Sequence, residues 1–300
     1  MAVAEALPTE GDLREQPWSE LSPEEVAALH EPVLEYARCR PGLVKDDISG
    51  GEELLPVPVF NSEPGNEQPD ARLLPPDSSR DGRFQWCTDS LQFVSQRAAK
   101  VLNENRNTFI PSNAACMQFE CDERKLLHEP RNPRLDAGLV ESTLVPWTFP
   151  NVLWGARFPL EVFKTESAGW GVRSPVHIPM GAFVCEYTGE LKTEQDQLSN
   201  RYIFDLDHFR LGPDENTKNE HNRRHGKSPL LTIDAYRKGN VSRWINSSDN
   251  EPNGNIVPNP VFTKETGHGS TLLYRNGFFA KKHIQPMEEL RFYYLKTDYV

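Results

Sequence analysis

Long hydrophobic runs are absent from this chain of 300 residues. A membrane-spanning helix needs about 18 or more consecutive apolar residues, and no segment approaches that length. The first residues, MAVAEALPTEGDLREQPW, also lack the basic start and apolar core of a secretory signal. We therefore expect a soluble intracellular protein with no membrane partner.

The chain has few cysteines, and its net charge is negative. A disulfide scaffold is not expected, because the sequence has only five scattered cysteines: Cys39, Cys87, Cys116, Cys121 and Cys185. The 33 Lys and Arg against 44 Asp and Glu give a formal charge of -11. An acidic chain holds nucleic acid poorly, so we expect no direct nucleic-acid binding. A basic peptide partner fits this charge better, although net acidity can equally serve solubility alone.

The first part of the chain predicts short helices and extended, proline-rich sequence. Residues 22–37, SPEEVAALHEPVLEYA, predict a helix in which Ser22 and Glu25 form a capping box. Pro32 must kink or divide this helix. Around the apolar island 53–60, prolines favour extended structure at a sheet edge. A second helix is expected over 90–102, from apolar residues near helical spacing.

Beyond residue 145 the pattern changes to many short strands. Runs rich in β-branched and aromatic residues are separated by Gly, Pro and Asp, at 160–164, 182–187, 202–206 and 230–234. The charged segment 208–229 has no apolar period and is expected to form a surface loop. The chain is therefore predicted to be mainly β, with few helices.

Three distant segments of the sequence resemble the SET-domain protein lysine methyltransferases. They are GWGVRSPVHIPMGAFVCEYTGE at 169–190, GNVSRWIN at 239–246 and ELRFYY at 289–294. A glycine pair around an aromatic residue is by itself a common turn, but the ordered match around it is long. Residues 46–61 also resemble the start of the region that precedes this domain in the branch acting on heterochromatic histone H3. The resemblance implies small antiparallel sheets around a knot-like crossing.

The resemblance also implies a binding site for the methyl donor S-adenosylmethionine. It places six residues beside the donor: Gly169, Trp170, Gly171, Tyr202, Arg243 and Asn246. Glycines would flank the tryptophan because a Cβ there would obstruct backbone contacts with the ligand. Asn246 is the expected adenine contact, since an amide offers a donor and an acceptor in one plane. For Tyr202, packing in the core is an equally open interpretation.

On the acceptor side, the resemblance implies that Tyr294 and Phe292 are the catalytic pair. Tyr294 would orient the lysine amine, and Phe292 would leave room for more methyl groups. Tyr187, Phe204 and Lys238 are the expected substrate-binding residues. A Lys238 ammonium pointing into the lysine channel would oppose a charged substrate, whereas one pointing outward would have no such effect.

Departures from the family pattern bear on zinc. Residues 247–250 read Ser-Ser-Asp-Asn where the family has His-Ser-Cys, and no cysteine-rich tail follows the third segment. A zinc site built from that Cys and three tail cysteines is therefore not expected. The region before the domain is also poor in cysteine, and CMQFEC at 116–121 lacks the spacing of a zinc knuckle. Its thiols are better interpreted as small buried hydrophobes.

These observations predict three regions: a polar N-terminal segment with a short helix at 1–45, a degenerate pre-SET-like region at 46–157, and a SET domain at 158–296. The resemblance implies a nuclear, chromatin-associated enzyme that transfers methyl from S-adenosylmethionine to a lysine of a histone tail, with histone H3 as the expected partner. Two alternatives stay open. One is a SET-fold module that binds chromatin or a partner with weakened or lost catalysis, and the other is a methyltransferase of a non-histone protein.

Overall fold

The computed structural model describes residues 13–18, 20–61, 84–88, 93–104, 156–193, 196, 202–206, 231–249, 253–264 and 272–294. Side chains are not described at 101–104, 259–264 and 272–275. The predicted surface loop at 208–229 lies outside these ranges, as do Cys116 and Cys121. None of the described helices is long and apolar enough to cross a membrane.

Two short helices near the N-terminus confirm the predicted capping box. Helix α1 spans Pro23–Ala28 and α2 spans His30–Arg38. The Glu25 backbone N–H donates to Ser22 Oγ at 3.2 Å, and the Ser22 N–H donates to Glu25 Oε2 at 2.7 Å. The predicted division falls at Leu29. Pro32 therefore lies in the first turn of α2, where a missing backbone N–H leaves no helical bond unmade.

The third helix begins later than the sequence pattern predicts. Helix α3 spans Gln96–Glu104 rather than starting near residue 90. Val94 instead forms a parallel bridge with Leu191. The Ala98 N–H donates to Ser95 Oγ at 3.1 Å, so Ser95 caps the start of the helix. Residues before Gln96 continue the apolar spacing of a helix, but Val94 pairs with Leu191 and so the helix does not include them.

Short strands make up the rest of the described fold, which confirms the mainly β prediction. In chain order they are β1 Leu43–Lys45, β2 Val59–Phe60, β3 Gln85–Trp86, β4 Glu161–Lys164, β5 Trp170–Arg173, β6 Phe183–Glu186, β7 Glu190–Thr193, β8 Ile203–Asp205, β9 Leu231–Asp234, β10 Lys238–Gly239, β11 Asn246–Ser247, β12 Ile256–Lys264, β13 Leu272–Ala280 and β14 Arg291–Phe292. The four runs predicted as strands correspond to β4, β6, β8 and β9.

These strands form several small sheets. The largest described sheet has the order β1-β2-β4-β5, and two three-stranded sheets have the orders β12-β13-β6 and β7-β9-β8. Strand β2 lies between β1 and β4, so the predicted edge position of the proline-rich island was wrong. The prolines 56 and 58 precede β2, and the carbonyl of Pro58 still accepts a bond from the Val162 N–H at 3.0 Å. Proline lacks only the donor, so this carbonyl remains usable.

A parallel pairing of β11 with β14 forms the crossing that positions the site. Asn246 lies opposite Arg291, and Ser247 lies opposite Phe292. The Ser248 N–H donates to Phe292 O at 2.8 Å, which extends the pairing by one residue. Asn255 then fixes β14, because its Oδ1 accepts from the Arg291 N–H at 2.8 Å.

One continuous core joins the N-terminal helices to the sheets. Leu13, Trp18 and Val26 belong to the same buried cluster as Ile233 and Leu290. Burial of apolar surface stabilises the fold by about 25 cal/mol for each Å² removed from water. The N-terminal segment therefore packs as part of the folded unit that carries the crossing.

Candidate functional site

Asn246 brings the three sequence segments together. Its Nδ2 donates to the Trp170 carbonyl at 3.0 Å and to Glu289 Oε1 at 2.8 Å. The side chain is only partly buried. Both hydrogens of Nδ2 are used by the chain itself, so this amide offers a ligand its oxygen as an acceptor. The predicted donor-side residues Trp170 and Asn246 are thus in direct contact.

Glu289 is a positioning residue that sequence reasoning missed. Besides accepting from Asn246, its Oε2 accepts from Arg291 Nε at 2.8 Å and from Arg291 Nη2 at 2.5 Å. The carboxylate therefore fixes the amide of Asn246 from the side of the third segment. The signal was an acid two residues before an arginine, a spacing that places both on one face of an extended chain.

Backbone conformation and contacts within the chain account for the two glycines around Trp170. Gly169 has a φ of +79°, in the left-handed region that favours glycine. At Gly171, an added Cβ would lie 2.7 Å from Glu289 Oε1 and 2.8 Å from Thr165 Cγ2. The expectation that small residues keep the backbone open to a donor remains a prediction. A Cβ at position 171 would therefore displace the Glu289 carboxylate from its present position.

Arg243 and Tyr202 pack against one another near the crossing. The Arg243 guanidinium lies 4.2 Å from the centroid of the Tyr202 ring and 4.4 Å from that of Phe84. Its Nη2 donates to the Tyr236 carbonyl at 3.2 Å. Arg243 is buried in a 3-10 helix, Val241–Trp244, that leads directly into Asn246. The structure therefore brings these two predicted donor-side residues together by cation–π stacking.

An aromatic cluster also lies at the crossing. It consists of Tyr187, Phe204, Phe278, Phe292 and Tyr294. Ring centroids are 4.5 Å apart for Phe292 and Tyr294, 4.8 Å for Phe278 and Phe292, and 5.3 Å for Tyr187 and Phe204. Four of the five members were predicted from the resemblance. Phe278 was not, because its segment carried no recognised motif.

Tyr294 links the aromatic cluster to the crossing. Its hydroxyl donates to the Ile245 carbonyl at 2.5 Å, one residue before Asn246. The side chain is 41% exposed, so the ring is open to an approaching chain while its hydroxyl lies inside. Burial, and then the nearby Tyr202, raise the pKa of Tyr294 above its usual value. This phenol is therefore a hydrogen-bond donor at neutral pH and not a base.

Burial also raises the pKa of Tyr187 well above its usual value, with Tyr294 adding to the shift. Tyr187 is almost fully buried and packs against Phe278 with their ring centroids 6.1 Å apart. The cluster thus presents apolar ring faces and protonated phenols. Such a wall desolvates a charged group that enters it and favours the group's neutral form.

Lys238 is held by an acidic and an aromatic partner. Its Nζ lies 3.2 Å from Glu190 Oε1 and 3.7 Å from the centroid of the Phe93 ring. Burial acts to raise the pKa of Glu190, but bonds from Lys192 and Lys238 outweigh it and keep that pKa below the usual value. The ammonium of Lys238 is therefore balanced by a carboxylate, which weakens its repulsion of a charged substrate.

The residues that depart from the family pattern support the crossing. Ser247 Oγ accepts from the Tyr294 N–H at 3.3 Å and donates to Ser248 O at 3.1 Å.

Cys39, Cys87 and Cys185 are free thiols. Within the described ranges, no group of three or more His, Cys, Asp or Glu side chains could hold a metal ion.

A sulfonium donor fits the groups around the crossing. Aromatic faces attract a cation, and Trp170 and Tyr202 supply partly buried rings there, although the Tyr202 ring already stacks on the Arg243 guanidinium. The Asn246 oxygen suits the amino group of an adenine. The predicted donor-side residues and the aromatic cluster both adjoin the β11–β14 crossing, since the Tyr294 hydroxyl bonds to the carbonyl of Ile245, next to Asn246.

Comparisons with known proteins agree with this geometry. The SET domain family matches residues 169–295. The histone-lysine N-methyltransferase, H3 lysine-9 specific SUVH5 of Arabidopsis thaliana is 28% identical over 275 residues, which cover 87% of this chain and 30% of that protein. A histone-lysine N-methyltransferase, H3 lysine-9 specific, of Schizosaccharomyces pombe is 35% identical over 150 residues, which cover 47% of this chain and 26% of that protein.

Among solved structures, the chain resembles KRYPTONITE in complex with mCHH DNA, an H3(1-15) peptide and SAH. The TM-score is 0.52 at 26% identity, covering 86% of this chain and 48% of that chain. This chain thus spans less than a third of the two curated relatives and about half of the KRYPTONITE chain. By its sequence match, the chain contains a SET domain at residues 169–295.

Proposed function

We propose that this protein is a histone-lysine methyltransferase that uses S-adenosylmethionine and acts on the tail of histone H3. The observation that carries the proposal is the crossing, where Asn246 contacts Trp170 and the Tyr294 hydroxyl reaches Ile245. Two relatives are named as H3 lysine-9 specific, and KRYPTONITE was solved with an H3 peptide and SAH. SAH is the thioether that remains when S-adenosylmethionine has given up its methyl group.

The donor would be held by Trp170, Tyr202, Arg243 and Asn246, with Gly169 and Gly171 flanking the tryptophan. When bound, it supplies a methyl carbon made electrophilic by a positive sulfur. Asn246 accepts a bond from the adenine amino group through Oδ1, since Glu289 and the Trp170 carbonyl hold its Nδ2. Glu289 thereby fixes the direction in which that oxygen points.

The aromatic cluster prepares the acceptor. A free lysine amine has a pKa of about 10.4, so at neutral pH it is protonated and has no lone pair for attack. Tyr187, Phe204 and Phe292 surround it with ring faces, which lowers that pKa by desolvation. The proton leaves to water, and the neutral nitrogen forms a bond to the methyl carbon as the carbon–sulfur bond breaks. The bonding pair goes to sulfur.

Tyr294 acts by orientation and not by proton transfer. Its raised pKa keeps the phenol protonated, so it cannot remove the lysine proton. Its hydroxyl, held on the Ile245 carbonyl, fixes the ring beside Phe292 and directs the nitrogen toward the crossing. Correct alignment of reacting atoms can supply about 7–11 kcal/mol of a barrier. Alignment is therefore the main contribution that we assign to this chain.

The charge of the chain supports the choice of partner. A net charge of -11 attracts a basic tail such as that of histone H3 and weakens contact with nucleic acid. The glutamate beside Lys238 keeps that cation from opposing the incoming lysine. A histone substrate places the protein in the nucleus, on chromatin.

Transfer of labelled methyl from S-adenosylmethionine to core histones and an H3 tail peptide tests the proposal. A misplacement of about 1 Å in a reacting group can cost about 100-fold in rate. Because the phenylalanine ring would no longer be held on the Ile245 carbonyl, we expect Tyr294→Phe to lower transfer by about that factor. A peptide with its lysines replaced by arginine should receive no label. Transfer to other basic proteins but not to histones would favour a non-histone substrate. Donor binding without any transfer would favour a binding module, and a chain that binds no donor would overturn the proposal.

A further inference from the structure

Asn276 is a buried amide for which the described residues offer no hydrogen-bond partner. Its side chain is 0% exposed, and both Oδ1 and Nδ2 lack a bond within the described part of the chain. Buried amides are almost always bonded, because removing one from water without a partner destabilises the fold. An apolar residue would serve packing better, so a reason other than stability is needed.

The register of β6 against β13 shows which way this amide faces. Gly277 lies opposite Glu186, and the Tyr187 N–H donates to Asn276 O at 2.8 Å. Asn276 and Tyr187 are therefore cross-strand neighbours, whose side chains stand on the same face. Phe278, two residues along β13, shares that face because side chains alternate along a strand.

Different side chains pack against the two faces of β13. Phe278 contacts Tyr187 and Phe292 within the aromatic cluster. Phe279, on the opposite face, packs against Phe183 with their ring centroids 5.5 Å apart. Asn276 therefore stands beside the aromatic cluster, as a polar group next to otherwise apolar walls.

We propose that Asn276 contacts the acceptor nitrogen and limits how many methyl groups it receives, an inference that rests on the proposed function. Oδ1 accepts an N–H bond from the neutral amine. Each transfer replaces one N–H with N–CH3, so a dimethylated nitrogen has no N–H left for this oxygen. The contact therefore holds the unmethylated and monomethylated amine better than the dimethylated one. It thus disfavours a third methyl group, although Phe292 leaves space for one.

The test is Asn276→Leu in the full chain, because leucine has a similar volume and cannot accept a hydrogen bond. H3 tail peptides with unmethylated, monomethylated or dimethylated lysine are the substrates, and mass spectrometry counts the methyl groups. We expect the ratio of trimethylated to monomethylated product to rise about tenfold, the order by which one small contact discriminates substrates. We also expect a higher thermal midpoint, because leucine removes a buried amide that makes no hydrogen bond among the described residues.

Two further variants separate a specific contact from loosened packing. Asn276→Asp keeps an acceptor oxygen in the same shape, so the product ratio should stay low while the pH optimum moves up, because a nearby carboxylate raises the pKa of the amine. Phe279→Leu loosens the opposite face of the same strand and should leave the ratio unchanged. An unchanged ratio in Asn276→Leu, or an equal rise in Phe279→Leu, would overturn the inference alone. A wild-type chain that transfers no methyl to any substrate would overturn the proposed function and this inference together.

Discussion

Glu53 is a carboxyl group placed among apolar side chains. It lies with Leu55, Phe158 and Val241 around a small cavity, and it accepts a bond from Trp86 Nε1 at 3.1 Å. Burial raises the pKa of Glu53 to about 7, the Trp86 bond lowers it in part, and nearby acidic residues add to the rise. The folded state therefore binds a proton at Glu53 that the unfolded chain releases at a lower pH.

This shift predicts a stability that falls with rising pH. The contribution of Glu53 is fully present below its unfolded pKa of about 4.5 and is lost as pH rises through about 7, since the folded chain must then bury a carboxylate. Glu53→Gln keeps an acceptor for Trp86 and carries no charge. We expect its advantage in unfolding midpoint over the wild type to grow between about pH 5 and pH 8. The exposed Glu166→Gln serves as the control, and an advantage that does not change with pH would contradict the assignment.

Roles of single residues were predictable from sequence only where a motif carried them. Asn246 and Tyr294 stand in segments that resemble the family, and the structure places both at the crossing. Glu289 lies in one of those segments, yet its role depends on an amide 43 residues away. Phe278 and Asn276 acquire theirs from the face of β13, which the pairing with β6 decides. A single sequence segment does not show which strand will pair with it or on which face of the sheet each side chain will lie.

Between elements, a buried carboxylate links the N-terminal helices to the first sheet. Glu161 on β4 is 1% exposed and accepts from Arg40 Nη1 at 2.5 Å and from Arg173 Nε at 2.5 Å. Arg40 follows α2, and its guanidinium also stacks 4.2 Å from the centroid of the Phe60 ring on β2. One carboxylate thus pairs with two guanidinium groups from different elements. A buried pair of this kind is costly to break, because it leaves charge without a partner.

Removing this carboxylate should destabilise the fold. Glu161→Gln leaves two guanidinium groups facing each other, and we expect a loss of about 3 kcal/mol in the free energy of unfolding. Arg40→Ala should cost less, since Arg173 still neutralises Glu161. Urea denaturation of the wild type and of each variant measures the free energy of unfolding. Glu31→Gln breaks an exposed pair with Arg38 and should leave the unfolding midpoint unchanged. Equal effects at the buried and exposed sites would refute the role given to Glu161.

Elements were predicted well where local chemistry decides them. The capping box at Ser22 and the strands β4, β6, β8 and β9 follow from short-range pattern and were confirmed. Tertiary pairing decided the rest. Val94 continues a helical period in sequence but bridges Leu191 in the structure. Strand β2 follows prolines that favour an edge, yet it is paired on both sides, because Pro58 contributes only its carbonyl to the pairing with β4.

For the whole molecule, the crossing is the feature on which both the fold and the proposed chemistry depend. It pairs β11 with β14, strands that lie far apart in the chain, and it brings Asn246 beside Trp170 and the Tyr294 hydroxyl to the Ile245 carbonyl. The sequence predicted this arrangement only through family resemblance, since no local pattern specifies a parallel pairing between such short strands. The core that continues from Trp18 to Leu290 was not predictable from the polar character of the N-terminal segment.

Calorimetric titration with SAH tests most directly whether the crossing holds the methyl donor. We predict that the wild-type chain binds SAH and that Asn246→Leu weakens binding by about tenfold or more, as expected for loss of a buried hydrogen bond. Tyr294→Phe should bind SAH as the wild type does, although it transfers methyl poorly. Thermal midpoints confirm that each variant is folded. Equal SAH affinity in Asn246→Leu and wild type, or no binding by a folded wild-type chain, would contradict the account.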